Sequence, residues 1–357
     1  MYRDHSVAAV VPAYNEERFI GDVVREMPSF VDRLYVVNDC STDGTWEAIL
    51  EAAQSDARRR IDREGAVADR VERIRPDGGE NPALAARATV HEPIGRVVPI
   101  DHRENRGAGG AIKTGYLAAR AGRLDIVVTV DGDGQMDLDA MPKLLDPIVD
   151  GVADYAKGNR LLAPDHQRSM PRFRLFGNAL LSLLTKIASG YWKLSDPQNG
   201  YTAISRDALE AVDLESMYEY YGYCNDLLVK LNARSTRVAD VSIPAVYGDE
   251  KSSIVYSTYV RNVSGMLLRN FLWRLETRYL RFDFHPVVLF YLFGAGTSAL
   301  GSLGVLWSFL SRGRSGESLF IRILASTQLF LVGWLFLLFA MVFDMQENED
   351  REVVIHE

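Results

Sequence analysis

Residues 126–139 read IVVTVDGDGQMDLD. An apolar, mostly β-branched run, Ile126 to Val130, breaks abruptly into Asp131-Gly132-Asp133-Gly134-Gln135. Continuous rather than alternating apolarity predicts a strand buried in a parallel sheet that is covered on both faces. In an extended chain, carboxylates at i and i+2 point to the same side. Ligands of open α/β sheets sit just beyond the carboxyl ends of the strands. Asp131 and Asp133 are therefore candidates to grip one hard cation, with the glycines letting a substrate approach the backbone. The competing reading is an acidic turn. A helix–loop–helix calcium loop also begins D-x-D, but Met136 stands where its Gly belongs and Pro142 where its last Glu belongs.

Working outward, the upstream sequence repeats the pattern. Residues 7–12 (VAAVVP) predict a buried strand running into Tyr14-Asn15-Glu16-Glu17, then a helix over 16–27 with Ile20, Val23 and Val24 inward. Residues 34–37 (LYVV) predict a second strand ending in Asn38-Asp39-Cys40, followed by a helix over 45–60. This is a β-α-β-α opening with polar loops at both strand ends. Glu16 and Asp39 thus fall on the same edge as Asp131 and Asp133. Residues 61–96 predict a peripheral insertion, and 97–100 a short strand. Residues 105–116 (NRGAGGAIKTGY) match neither a Walker A loop nor G-x-G-x-x-G, because Ile112 occupies the required glycine. They predict a Gly-rich entry to a helix reaching about 121, whose small residues pack beside a nucleotide. Lys113 either reaches a phosphate or caps a solvated face.

Composition excludes several classes. The 357 residues suffice for one or two domains, and the net charge of −8 argues against a nucleic-acid partner. Two cysteines, Cys40 and Cys224, supply neither a disulfide framework nor a cysteine-rich zinc site. The six histidines lack metal-ligand spacing, and the apolar stretch at 7–13 is too short for a signal peptide.

The last third differs. Residues 286–310 are uncharged over 25 positions and 323–343 over 21, separated by the polar turn 311–318. At about 1.5 Å per residue each spans about 30 Å or more, so the pair predicts a transmembrane hairpin rather than two buried core helices. Arg261, Arg269, Arg274, Arg278 and Arg281 precede the first span, against Arg312, Arg314 and Arg322 at the turn, which favours a cytoplasmic N-terminal domain. Residues 262–282 read as an amphipathic helix, lying among headgroups or packed on the globular domain. The acidic tail 346–357 reads as a solvated end.

The ordered set VVPAYNEE, VVNDCSTDGT, NRGAGGAIKTGY, VDGDGQ, KGNR and DPQNGYTAISR resembles family 2 glycosyltransferases of the GT-A fold, over about residues 7–255. Within them it is most similar to the polyprenyl-phosphate (dolichyl-phosphate) mannosyl- and glucosyltransferases. The resemblance implies an α/β, doubly wound Rossmann-like GT-A catalytic domain over 1–255. A juxtamembrane amphipathic segment over 256–285, a two-helix hairpin over 286–343 and an acidic tail over 344–357 follow.

Carried over residue by residue, Pro12, Tyr14, Asn15 and Glu16 match the loop that holds the base and ribose of a nucleotide-sugar. Asp39 matches a nucleotide contact, with Asn38 and Cys40 departing from the pattern's usual Asp and Gly. Asp131 and Asp133 match the DxD motif that binds Mg²⁺ or Mn²⁺ bridging the donor diphosphate, with Gly132 and Gln135 beside it. Arg160 of Lys157-Gly158-Asn159-Arg160 is a candidate phosphate clamp. Arg172 and Arg174 either receive the polyprenyl phosphate or face anionic lipid. Asp196, Gln198 and Gly200 match a loop beneath the sugar. Asp226 takes the place of a general base, which an anionic phosphate acceptor does not need. Residues 238–247 resemble the family's last strand, and Lys251 lies in a mobile loop (248–253) able to close on phosphates. The implied activity is metal-dependent, inverting sugar transfer from a GDP- or UDP-linked donor to polyprenyl phosphate at the cytoplasmic face of the membrane. The alternatives are transfer to a hydroxyl of a lipid-linked saccharide, with Asp226 as base, and an idle membrane scaffold that only binds nucleotide-sugar.

Overall fold

The computed structural model describes residues 1–64, 81–162, 172–244, 256–282, 284–311 and 318–355. Its catalytic portion is built on one nine-stranded sheet with the order β3-β4-β2-β1-β5-β7-β6-β8-β9. Strand β1 (Val7–Ala13) lies between β2 (Arg33–Asn38) and β5 (Ile126–Thr129), parallel to both, and β2 runs parallel to β4 (Val97–His102). The four apolar runs legible in the sequence thus form the parallel half of the sheet. Alternation along β1 sends Val7, Ala9 and Val11 into one core and Ala8 and Val10 into the other. That double burial is why these strands read as unbroken apolar runs.

Helices α1 (Ile20–Glu26), α2 (Thr45–Glu64) and α5 (Met141–Val149) contribute to the first core. Helices α4 (Ala108–Gly122), α7 (Arg206–Ala211) and α8 (Tyr223–Ala233) contribute to the second. Helix α1 begins four residues later than expected, because Asn15 takes a left-handed conformation and Asn15–Phe19 form the turn. The insertion supplies a short helix, α3 (Pro82–Ala85), and an edge strand, β3 (Ala88–Val90), antiparallel to β4; residues 65–80 lie outside the described part.

The sheet is mixed rather than wholly parallel. Strand β7 (Thr202–Ser205) runs antiparallel between β5 and β6 (Tyr155–Asn159), with Thr202 opposite both Thr129 and Lys157. Strand β8 (Val238–Ser242) pairs parallel with β6; the remainder of the expected last strand, 245–247, lies outside the described residues.

Helix α6 (Arg172–Ser189) packs on α9 (Tyr256–Glu276), which also touches α8 and ends in a π-helical turn, Thr277–Phe282. Helices α10 (Val287–Leu310) and α11 (Leu319–Asn348) form an antiparallel hairpin so close that a Cβ on Gly301 would sit 2.5 Å from the Phe330 nitrogen. Both are long and apolar enough to cross a membrane. Leu292, Leu300, Leu303 and Leu331 stand exposed on their outer surface, which is the reverse of a soluble core helix.

One expectation for this region needs correction. The tail is not a solvated end: α11 continues to Asn348, and β9 (Glu352–Ile355) adds parallel to β8 as the sheet's outermost strand. Glu352 accepts the backbone N–H groups of Trp192 and Lys193 at 2.8 and 2.7 Å. Of the two readings of residues 262–282, packing on the globular part holds for the arginines at its C-terminal end. Arg274 is fully buried and forks onto Asp344 at 3.0 and 2.6 Å, and Tyr279 donates to the same carboxylate. Arg278 is also buried, against Asn232 and Asn348. Among the described residues, this network joins the hairpin's end to α8 and α9.

Removing one partner of a buried pair strands a charge, whereas removing both is often tolerated. Arg274→Met is expected to cost about 3–5 kcal/mol. Arg274→Met with Asp344→Leu should recover most of that loss, as read from thermal melts of the full chain in detergent.

Candidate active site

The candidate cleft lies at the end of β5. Asp131, Asp133, Gln135, Arg160, Gln198, Asn199, Gly200 and Tyr201 line it with Met136, Asp137, Ile243 and Pro244, around about 170 Å³. Five of the sequence candidates outside the glycines therefore share one cavity: Asp131, Asp133, Gln135, Arg160 and Gln198. Asp196 stands immediately behind it, taking Arg160 Nε at 2.8 Å and Nη2 at 3.1 Å in a forked pair.

Local rules shape the DGDGQ turn. Asp133 accepts the Gln135 N–H at 2.9 Å, and Gly134 adopts φ +72°. Gly132 has no room for a side chain, since a Cβ would lie 2.6 Å from the Pro12 carbonyl oxygen. Pro12 thus abuts the motif through its backbone. Gly200 presses on Asp131 from the other side, where a Cβ would stand 3.4 Å from Oδ2 and 2.8 Å from Tyr223 Oη. Tyr201 donates to the Asp137 carbonyl at 3.0 Å, tying the two loops together.

The donor set fits a divalent cation of the Mg²⁺ or Mn²⁺ kind. No cluster of three or more His, Cys, Asp or Glu placed to hold an ion exists among the described residues. Two carboxylates at the mouth of a cleft suit a cation that draws its remaining ligands from substrate phosphates. Gln198 adds a buried Nε2 that meets no acceptor among the described residues, a donor on the cleft wall for a sugar or phosphate oxygen.

The loops after β1 and β2 interlock. The Asn15 side chain accepts the Thr42 N–H at 2.8 Å, its own N–H reaches Ser41, and the Glu16 N–H reaches Thr45. Tyr14 remains exposed beside them.

Three candidates sit differently from expectation. Asp39 is buried, with its oxygens occupied by His102 Nδ1 (2.6 Å) and the N–H groups of Arg106 and Gly107 (2.8 Å each). Its role here is to pin the Gly-rich segment, not to present a free carboxylate. Lys113 neither reaches a phosphate nor caps a solvated face. It is buried, donating to Glu219 Oε1 and the Glu215 carbonyl at 2.8 Å each. Burial alone would raise the Glu219 carboxyl, but hydrogen bonds from Lys113 and Arg87 hold it at about 2. The glycines are explained by packing: a Cβ on Gly109 would meet the Tyr218 carbonyl, and one on Gly115 would meet Val10. Asp226 is 1% exposed, bonded to Lys230 Nζ through both oxygens and to Asn270 Nδ2 and the Tyr218 N–H. A general base needs a lone pair aimed at its acceptor, and these bonds occupy the carboxylate, so that assignment is withdrawn. The side chains of Arg172 and Arg174, on the first turn of α6, and the whole of Lys251 lie outside the described residues.

Reading by motif missed His102, Lys157, Glu219 and Asp240. Only His102 had a usable signal. Strands β2 and β4 pair Asn38 with Asp101, so the next residue of each, Asp39 and His102, must be neighbours.

Comparison with known proteins followed the same residues. The profile of glycosyl transferase family 2 matches residues 8–66 and 77–213, more than half of the chain. A UDP-N-acetylglucosamine–dolichyl-phosphate N-acetylglucosaminyltransferase of Methanococcus voltae is 27% identical over 245 residues, covering 68% of this chain and 87% of that protein. A dolichyl-phosphate hexose transferase of Haloferax volcanii is 26% identical over 243 residues, covering 68% and 84%. Among solved structures, glucosyl-3-phosphoglycerate synthase from Mycobacterium tuberculosis aligns with TM-score 0.49 and 20% identity over 75% of this chain and 80% of that one.

Burial, and then the nearby Asp133, push the Asp131 carboxyl up to about 7 against the opposing pull of Arg160. An unfolded Asp titrates near ~3.9. From about pH 4 to 7 the folded chain therefore holds the extra proton, and stability falls as pH rises through that window. In chelator, the melting temperature of the wild type minus that of Asp131→Asn should drop between about pH 5 and 8; a flat difference refutes the assignment.

Proposed function

This chain belongs to glycosyl transferase family 2, and from that premise we propose that it transfers a sugar from a nucleoside-diphosphate donor to a polyprenyl phosphate, inverting the anomeric centre. Membership makes it a glycosyltransferase; donor, acceptor and stereochemistry are our reading. One observation carries it: the DxD carboxylates and Arg160 line one cleft in a chain that also has a hairpin long and apolar enough to cross a bilayer. The names of the Methanococcus and Haloferax relatives, both dolichyl-phosphate transferases, support the acceptor class.

In this reading Asp131 and Asp133, with Gln135 beside them, hold Mg²⁺ or Mn²⁺. Such an ion stabilises the negative charge that develops on a departing nucleoside diphosphate. Tyr14 and the interlocked loop from Pro12 to Glu16 offer the surface for base and ribose. Arg160, its Nε–Nη2 edge held by Asp196, brings its positive charge to the phosphate oxygens, and Gln198 offers its Nε2 N–H to the sugar or the diphosphate. Gly132 and Gly200 keep the walls thin where the donor must approach. The attacking group is a phosphate oxygen, already anionic near neutral pH because the second pKa lies near ~6. Such a nucleophile needs orientation and charge stabilisation rather than proton removal, which agrees with the engaged state of Asp226. The alternative hydroxyl acceptor would require a base that Asp226, in this arrangement, does not supply. We place the catalytic domain on the cytoplasmic face, following the arginine surplus before the first span.

The test uses membranes containing the full chain, labelled GDP- and UDP-sugars, a divalent cation and polyprenyl phosphate. The expected product is a mild-acid-labile lipid carrying one sugar. Transfer only to pre-glycosylated lipid would favour the hydroxyl reading, and no transfer or donor hydrolysis would favour an idle scaffold. Asp133→Ala should lower turnover by ~10³-fold or more, about 4 kcal/mol of transition-state stabilisation, while the protein stays folded and membrane-bound. Retained activity would sink the metal assignment.

A further inference from the structure

We propose that the buried Lys157–Asp240 pair is a positioning device for this reaction: it fixes the turn at Ser195–Asp196 and, through the Asp196 carboxylate, aims Arg160 into the cleft. The inference rests on the role given to Arg160 above.

Lys157 and Asp240 are register partners on neighbouring strands β6 and β8, 1% and 0% exposed, with Nζ 3.1 Å from Oδ1. Burying two charges costs several kcal/mol per ion before their attraction is counted. Three of the five hydrogen bonds that offset this cost converge on one turn, while Asp240 Oδ1 meets only the Lys157 charge. Lys157 Nζ donates to the carbonyls of Ser195 (2.7 Å), Asp196 (2.8 Å) and Gly158 (3.1 Å). Asp240 Oδ2 accepts the Ser195 N–H at 2.9 Å and Asn159 Nδ2 at 2.5 Å. The turn thus has its carbonyls held by one member of the pair and its N–H by the other.

The turn itself is strained. Asp196 has φ +47°, in the left-handed region that a non-glycine residue rarely adopts. In that conformation its side chain meets Arg160 in the forked geometry already described, and it also accepts the Arg160 backbone N–H at 3.3 Å. Asp196 is 8% exposed, while the Arg160 side chain is 44% exposed on the cleft wall. The chain of contacts therefore runs from a sealed ion pair, through a strained turn, to a solvent-reaching guanidinium. Lys157 is a positioning residue and touches no reactant.

A structural role alone would lower stability and leave the effects of Lys157 and Arg160 independent. The proposed role makes them coupled. The test is a double-mutant cycle in the full chain, pairing Arg160→Ala with the charge-free double replacement Lys157→Met/Asp240→Leu, which buried pairs often tolerate. Melting temperature, kcat and donor KM are measured for each. The double replacement is expected to lower kcat/KM by about 30- to 100-fold, the scale of a ~1 Å misplacement, but by less than about threefold when Arg160 is already Ala. Equal losses in both backgrounds overturn the proposal. A second readout does not depend on activity: an experimental structure of the double replacement should show the Arg160–Asp196 fork broken. An intact fork overturns the proposal even if the enzyme is impaired. A wild-type chain that transfers from no donor would defeat the functional reading instead, and the fork would still decide whether the device exists.

Discussion

Strand β7 runs against both of its neighbours, and the cleft follows from that reversal. Because β7 is antiparallel to β5 and β6, its first residue, Thr202, lies beside Thr129 at the end of one and Lys157 in the middle of the other. The loop that enters β7 therefore arrives on the same edge as the loops that leave β5 and β6. In a wholly parallel sheet, residues 196–201 would have emerged at the opposite edge, a strand's length from Asp131. The reversal instead places Gly200 against the Asp131 carboxylate and Asp196 against Arg160. Three segments far apart in sequence are brought to one cavity by a single strand direction.

Electrostatics then decides which of the carboxylates at this edge remain available. Asp39, Asp226 and Asp240 each have their oxygens committed to hydrogen bonds or a buried cation, and so lock loops in place. Asp131 differs: among its effects, burial and a like-charged neighbour dominate, and its carboxyl is pushed upward. An acid at that edge whose burial and like-charged neighbour outweigh the pull of Arg160 is poorly solvated as an anion, which is the state a divalent ion would relieve. That contrast singles out Asp131 more sharply than its position in the motif does.

The sequence revealed the parallel half of the fold because those strands are buried on both faces and leave a continuous apolar signature. The short strand β7 (TAIS) left none, and its direction is a tertiary property that no period encodes. Asp131 and Asp133 were legible through residue type beside a strand end, and Arg160 and Gln198 through the family resemblance. Strand-end position misled at Asp39, helix-start position at Lys113 and the resemblance at Asp226, since a charge in such a place looks alike whether it faces solvent or is consumed by a loop from elsewhere. Lys113 could be placed only with Glu219, more than a hundred residues away in the chain. The tail was misread for a related reason. Its acidic composition outweighed four residues, EVVI, whose strand character depends on finding β8 as a partner.

That partner gives the long apolar hairpin a mechanical connection to the cleft. The chain leaves the catalytic domain through α9, passes through both long helices, and returns to the sheet as β9. Arg274–Asp344 and the Asn232–Arg278–Asn348 contacts clamp the return point, so α11 meets the sheet in a fixed pose. Strand β9 then lies on β8, with Val354 opposite Asp240, the residue that braces the turn behind Arg160. Under the proposed function, a flexible anchor would leave the cleft free to tumble above a lipid acceptor whose phosphate stays at the bilayer surface. A hairpin that ends as a strand of the catalytic sheet restricts that motion, holding the cleft at one height and orientation. Orientation of the reacting groups is the part of the barrier that such a clamp is able to lower.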